Sequence, residues 1–176
     1  GGPTPVFERL ASEVSKGKIC IIGCGRGYDA VTFAKAGFEV TAIDFSHNAV
    51  MDARENARKA EVDIKVIREN IFDLPEDLFY KFDYVMEYTC FCAISPVRRF
   101  EYDRVVWQLL KPEGKLLGLF LPLDKELEDG GPPWGVKISE LHKLFGLHWN
   151  LEYEEMPKES IDRRADREIL MVWRKK

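Results

Sequence analysis

The chain has no apolar run approaching the roughly 20 residues that a membrane-spanning helix requires, and its first residues show neither a charged segment leading into an apolar stretch nor a cleavage site. It has no excess of positive charge. The 26 basic and 30 acidic residues are interspersed and give a formal net charge of −4, so there is no basic field to hold a nucleic-acid backbone. Histidine is scarce, at three residues, and the four cysteines (Cys20, Cys24, Cys90 and Cys92) form no C-x-x-C pair with companion histidines. Tetrahedral zinc needs such converging ligands, so no metal is expected, and the thiols read as small, reduced core fillers. Internal repeats, low-complexity tracts and linkers are missing as well. These gaps argue against membrane and nucleic-acid partners and for a soluble, cytoplasmic protein acting on a small molecule. No feature marks a surface for self-association, which leaves the oligomeric state open and compatible with a monomer.

With 45% hydrophobic residues over 176 positions, the chain is long enough to bury one core and short for two, so residues 1–176 are expected to form a single domain. The most informative segment is Lys18 to Gly27, KICIIGCGRG. An apolar strand that breaks into Gly23-x-Gly25-x-Gly27 lets the backbone turn sharply and approach a ligand closely. Asp44, at the end of the next apolar run, can accept hydrogen bonds from a ribose. Together they point to a nucleoside cofactor. A dinucleotide fingerprint would need glycine at position 28, where Tyr28 stands. The G-x-G-x-G form instead resembles the first motif of class I S-adenosylmethionine methyltransferases, whose cofactor has no pyrophosphate to cradle.

Strand-like and helix-like patterns alternate along the chain. Val6 to Val14 has the one-sided apolar spacing of an amphipathic helix, so residues 1–16 are expected to lie across the sheet's edge or over the cofactor. Strands are expected at Lys18–Ile22, Glu39–Ile43, Asp63–Arg68, Lys81–Glu87, Lys115–Leu121, Leu147–Glu154 and Glu168–Trp173. Helices are expected at Tyr28–Lys35, from an N-cap at Ser46 through Ala60, from Pro96 to Leu110, and at Ser139–Phe145. Lys111-Pro112-Glu113-Gly114 reads as a turn, and the long irregular stretch 122–135 as a substrate loop and lid.

This alternation implies an α/β fold, a seven-stranded, mostly parallel sheet with helices on both faces. The last two strands leave no room for a crossover helix, so the seventh is expected to insert antiparallel at the sheet's end. That is the Rossmann-like arrangement of class I methyltransferases, which the chain resembles over nearly its whole length. In such a sheet the ligand sits beyond the carboxyl ends of the strands, where Gly23, Asp44, Asn70 and Glu87 fall.

Other segments resemble the thiopurine methyltransferase superfamily, closest to its halide and thiol methyltransferases. They are Gly27-Tyr28-Asp29, Phe82-Asp83-Tyr84-Val85, Tyr88-Thr89-Cys90-Phe91-Cys92-Ala93-Ile94 and Gly130-Gly131-Pro132-Pro133-Trp134. The resemblance implies S-adenosylmethionine as cofactor, with S-adenosylhomocysteine as product. It would be held along the loop Gly23, Cys24, Gly25 and Gly27, by Asp44 at the ribose, by Phe45 against adenine, by Asn70 and Ile71 at the adenine edge, and near Glu87. Many members carry an acid where this chain has Ile21, so Asp29 is expected to answer the cofactor's cationic end; Asn70 stands where an acid is usual. The opening Gly1-Gly2-Pro3-Thr4-Pro5 resembles the inside of the family's N-terminal lid motif, which implies a tryptophan-bearing segment upstream.

A sulfonium already activates its methyl group, so such a protein mainly has to hold a nucleophile in line behind that carbon and strip it of water. Thiols, hydrosulfide and halides need no strong base, which suits a chain without an obvious histidine–carboxylate pair. Tyr88 is expected nearest the transferring methyl, Arg99 to attract an anion, and Phe91 and Trp134 to line the acceptor pocket. Phe91 and Trp134 fit a core equally well, one of Arg98 and Arg99 fits a solvated helix charge, and Arg163-Arg164 with Arg167 fits a solvated face. Rival readings are an oxygen or nitrogen methyltransferase of the same fold, which would need a base, a nicotinamide-dependent dehydrogenase, and a noncatalytic cofactor-binding module.

Overall fold

In the computed structural model, which describes residues 1–176, seven strands form one sheet. They are β1 (Lys18–Ile22), β2 (Glu39–Asp44), β3 (Ile64–Arg68), β4 (Phe82–Tyr88), β5 (Leu110–Phe120), β6 (Trp149–Glu155) and β7 (Ile169–Lys175), in the order β3-β2-β1-β4-β5-β7-β6. The first five pair in parallel, and β7 runs antiparallel to both of its neighbours, β5 and β6. The antiparallel strand therefore lies inside the sheet, and β6 is the edge. The connection between β6 and β7 holds only the short 3-10 turn Asp162–Arg164, so the two strands close as a hairpin.

The helices are α1 (Pro5–Glu13), α2 (Tyr28–Lys35), α3 (His47–Lys59), α4 (Arg99–Leu109) and α5 (Ile138–Phe145). Ser46 caps α3, its hydroxyl accepting from the Ala49 N–H at 3.4 Å. Strand alternation divides the core in two. Ile169, Met171 and Trp173 of β7 join a cluster under α4 and α5, while Leu170 and Val172 join a second cluster under α1 and α2. Helix α3 packs against β2 and β3. Burying an aliphatic or aromatic side chain on either face contributes roughly 1.5–3 kcal/mol, so β7 is anchored from both sides, while the edge strand β6 buries only Trp149.

Two boundaries differ from expectation by three residues or more. Pro96–Arg98 forms a separate 3-10 turn, and α4 begins only at Arg99. The turn expected at 111–114 is absorbed into β5. Leu110 pairs with Phe82 and Lys115 with Tyr84, so the intervening residues bulge from the strand with Glu113 at φ +66°. Lys175, at the end of β7, donates to the Trp107 and Leu110 carbonyls, both at 2.8 Å, and closes the carboxyl end of α4.

Candidate active site

The carboxyl ends of β1, β2 and β3 open onto a cleft of about 590 Å³ that includes Gly23, Gly25, Asp44, Phe45, Asn70 and Ile71. Gly23 and Gly25 adopt left-handed backbone, at φ +62° and +53°, and a Cβ on Gly23 would lie 2.9 Å from that of Cys90. Asp44 is buried, and its two oxygens accept from Gly25 N–H and Ser46 N–H, each at 2.9 Å. These bonds fix the carboxylate while each oxygen keeps a lone pair for a hydroxyl. The Phe45 ring is 76% exposed at the cleft, an uncovered aromatic face. Asn70 uses its side-chain oxygen to accept from Phe72 N–H at 3.1 Å, which leaves its two amide donors for a purine edge. A glycine cradle, an anchored carboxylate, an open aromatic face and amide donors fit an adenosine-bearing cofactor.

Several expected cofactor residues are engaged in contacts within the protein. Gly27, at φ +75°, starts α2 and packs on α3, where a Cβ would come within 2.9 Å of that of Ala53. Cys24 donates its N–H to the Ile43 carbonyl at 2.9 Å, and its side chain packs against the α1–α2 core cluster. Both Asp29 oxygens are engaged by Thr4, from its N–H at 2.7 Å and its hydroxyl at 2.9 Å. Asp29 thus anchors the N-terminal segment. Glu87 is 1% exposed and turned inward, accepting from the Tyr102 hydroxyl at 2.6 Å and Phe91 N–H at 2.8 Å. Burial raises its carboxyl to about 7, against the pull of those two hydrogen bonds.

The acceptor-side expectations also move. Phe91 is a core ring packed edge-on against Tyr102 and Phe120. Arg99 is buried beside it, donating to the Gly135 carbonyl at 2.8 Å and pairing with Glu140 at 3.4 Å, in a small separate recess. Arg98, its neighbour, is the one that lines the nucleoside cleft, stacked 3.5 Å above the Phe72 ring and bidentate to Glu101. The Trp134 ring folds over Gly131 and its backbone N–H donates to the Cys92 carbonyl at 2.8 Å, leaving Pro132 and Pro133 as the loop's lining residues.

Two further recesses lie beyond the cleft. One, of about 340 Å³, is lined by Thr89, Cys92, Ala93, Pro132, Pro133 and Arg164, among others. The other, of about 550 Å³, lies between residues 1–4, Tyr88, Glu168 and residues 161–164. The Tyr88 hydroxyl donates to Glu168 at 3.3 Å, the Arg164 guanidinium lies 4.6 Å from the Tyr88 ring centre, and Arg164 Nη1 is buried with no partner. Burial pushes the Tyr88 phenol well above its ordinary range and raises the Glu168 carboxyl. From the sequence, Thr89 and Glu168 have no site role and Arg164 reads as part of a solvated face, whereas the structure folds Arg164 inward against Tyr88. An arginine pair in a polar stretch looks the same in the sequence whether it is solvated or folded inward.

A parallel sheet with one antiparallel strand, carrying a nucleoside cleft at its carboxyl edge, defines a class I, Rossmann-like methyltransferase domain. The sequence model of the thiopurine S-methyltransferase family matches residues 3–172, and the chain belongs to that family, which makes S-adenosylmethionine its cofactor. It is 36% identical over 152 residues to a probable thiol methyltransferase 2 of Arabidopsis thaliana, covering 82% of this chain and 64% of that protein. It is 31% identical over 182 residues to thiocyanate methyltransferase 1 of the same plant, covering 99% and 78%. The solved Burkholderia thailandensis 1,6-didemethyltoxoflavin-N1-methyltransferase, with its substrate and S-adenosylhomocysteine bound, superposes with a TM-score of 0.75 at 18% identity, covering 96% of this chain and 78% of that one. That likeness is one of fold. No helix is long and apolar enough to cross a membrane.

Proposed function

We propose that this chain transfers a methyl group from S-adenosylmethionine to a small soft nucleophile, a thiol, hydrosulfide or halide, in the cytoplasm. The observation that carries the reading is the Arg164 guanidinium beside Tyr88, whose buried Nη1 has no hydrogen-bond partner and is free to meet an incoming anion. The names of the two Arabidopsis relatives, a thiol and a thiocyanate methyltransferase, support the same acceptor class.

Bound S-adenosylmethionine supplies an electrophilic methyl on a sulfonium. The chain's part is to bind and align. Asp44 holds the ribose, Phe45 stacks on the base, and Asn70 donates to its edge. Arg164 draws the anion in, and residues 1–4 with Pro132 and Pro133 line the recesses that an acceptor would enter. Tyr88 stays a neutral phenol, because its burial and Glu168 both oppose ionisation.

The Tyr88–Glu168 contact also favours a second reading, in which the pair takes a proton from an oxygen or nitrogen acceptor. Glu168→Gln separates the two. Loss of a working base costs about 10²–10⁴-fold with a pH-dependent profile, whereas a soft-nucleophile enzyme keeps its rate to within a few-fold. The direct test is S-adenosylhomocysteine formation with hydrosulfide, iodide, an aromatic thiol, a catechol and an amine. Turnover confined to the first three is expected, and turnover with only the last two would replace the acceptor class. Silence with S-adenosylmethionine binding intact would make the chain a binder.

A further inference from the structure

Five residues other than glycine adopt left-handed backbone: Glu61, Tyr80, Thr89, Glu113 and Asp166. Only Thr89, at φ +67°, is β-branched, the side-chain type that tolerates this region least. It is also the only one of the five that lines a recess of the active-site edge. Thr89 and Ala93 are the two residues shared by the nucleoside cleft and the 340 Å³ recess, and with Ala93 contributing a single methyl, Thr89 supplies the bulk between them. Within this segment the Cys90 carbonyl accepts from the Ala93 N–H at 3.0 Å and the Thr89 carbonyl from the Cys92 thiol at 3.5 Å, so neither bond uses the Thr89 side chain. Glycine would suit this backbone without strain, yet a branched side chain is kept where two ligand spaces meet. A backbone outlier held by its surroundings at a site points to a role in that site.

We propose that Thr89 is a specificity-determining wall between the cofactor cleft and the acceptor recess, limiting the size of the group admitted between them. The proposal rests on the methyltransferase reading and deepens it, because it names the residue that selects small acceptors over bulky ones.

The test uses the full chain with Thr89→Gly and Thr89→Val. The first readout needs no acceptor: the calorimetric Kd of S-adenosylethionine, one methylene larger, relative to that of S-adenosylmethionine. Thr89→Gly is expected to improve this ratio about tenfold, the scale of one methylene in a closely fitted pocket. Its Tm should be no lower than the parent's, because glycine relaxes the left-handed backbone. Thr89→Val keeps the bulk and should keep the parent's ratio. In turnover, Thr89→Gly should shift kcat/KM toward an aromatic thiol over hydrosulfide by a similar factor. A Thr89→Gly analogue ratio within twofold of the parent's overturns the wall, even if thiols are methylated. A shifted analogue ratio without turnover of any thiol or hydrosulfide upholds the wall and removes the soft-nucleophile reading.

Discussion

Most of the nucleoside half of the active-site edge comes from Gly23 to Phe72, within a few positions of the ends of β1, β2 and β3, with residues 89–98 closing it, whereas the acceptor half gathers residues 1–4, 88–93, 121–133 and 161–168. In the first half, Asp44 reaches Gly25 across 19 positions along adjoining parallel strands. In the second, Tyr88 meets Glu168 across 80. A half built on adjoining strand ends is set by the sheet and suits a cofactor that does not vary. A half built on loops can change acceptor while the sheet stays as it is.

Asp44→Ala should separate the halves most sharply. Two charge-assisted hydrogen bonds to the ribose, at about 1.5–3 kcal/mol each, vanish, so S-adenosylmethionine affinity falls a hundredfold or more by calorimetry. A loss under tenfold would mean that the nucleoside lies elsewhere.

Next in size is a pH dependence between the halves. The Glu87 carboxyl is raised from its ordinary 4.5 to about 7, so the folded chain binds that proton more tightly than the unfolded chain. Its contribution is complete below pH 4.5 and is lost as pH rises through 7. Glu87→Gln, neutral at every pH, should therefore gain stability over the parent across that window, on the order of 3 kcal/mol in denaturant unfolding. Parallel stability curves for the two proteins would show that Glu87 does not titrate there.

Arg164→Met keeps the apolar stem and removes the charge. It should lower kcat/KM for anionic acceptors about 10–100-fold while leaving cofactor affinity unchanged, the range of a charged hydrogen bond. Equal losses with neutral and anionic acceptors would remove the anion-docking role. The smallest effect is expected at Arg9, which ties α1 to Glu155 at the end of β6 and to Glu159 in the segment after it. These side chains are about a third exposed, so Arg9→Gln should cost under about 1 kcal/mol of stability. A larger loss by thermal unfolding would show that the N-terminal segment is more tightly coupled to the acceptor wall.

Much of the fold is legible in the residue pattern. The strands through β4 begin and end within a residue or so of the expected places, and Ser46 caps its helix, because hydrophobic period and capping chemistry are local properties. In the site, Gly23, Gly25, Asp44, Phe45, Asn70 and Ile71 do share one cleft. The misplacements have a common cause. Arg98 and Arg99 are consecutive, and only the positions of Phe72 and Glu140 show which one faces the cleft. Glu87 ends a strand at the ligand edge, but the Tyr102 hydroxyl draws its carboxylate inward.

What the sequence determined alone was the alternating sheet, the class of cofactor its glycine loop and following acid can hold, and the order in which the elements appear. Tertiary structure decided the acceptor half. There a side chain's role depends on partners brought in from distant segments, as when the β6–β7 hairpin carries Arg164 and Glu168 onto Tyr88. No periodicity records those contacts, because they form only once the non-local strands have paired.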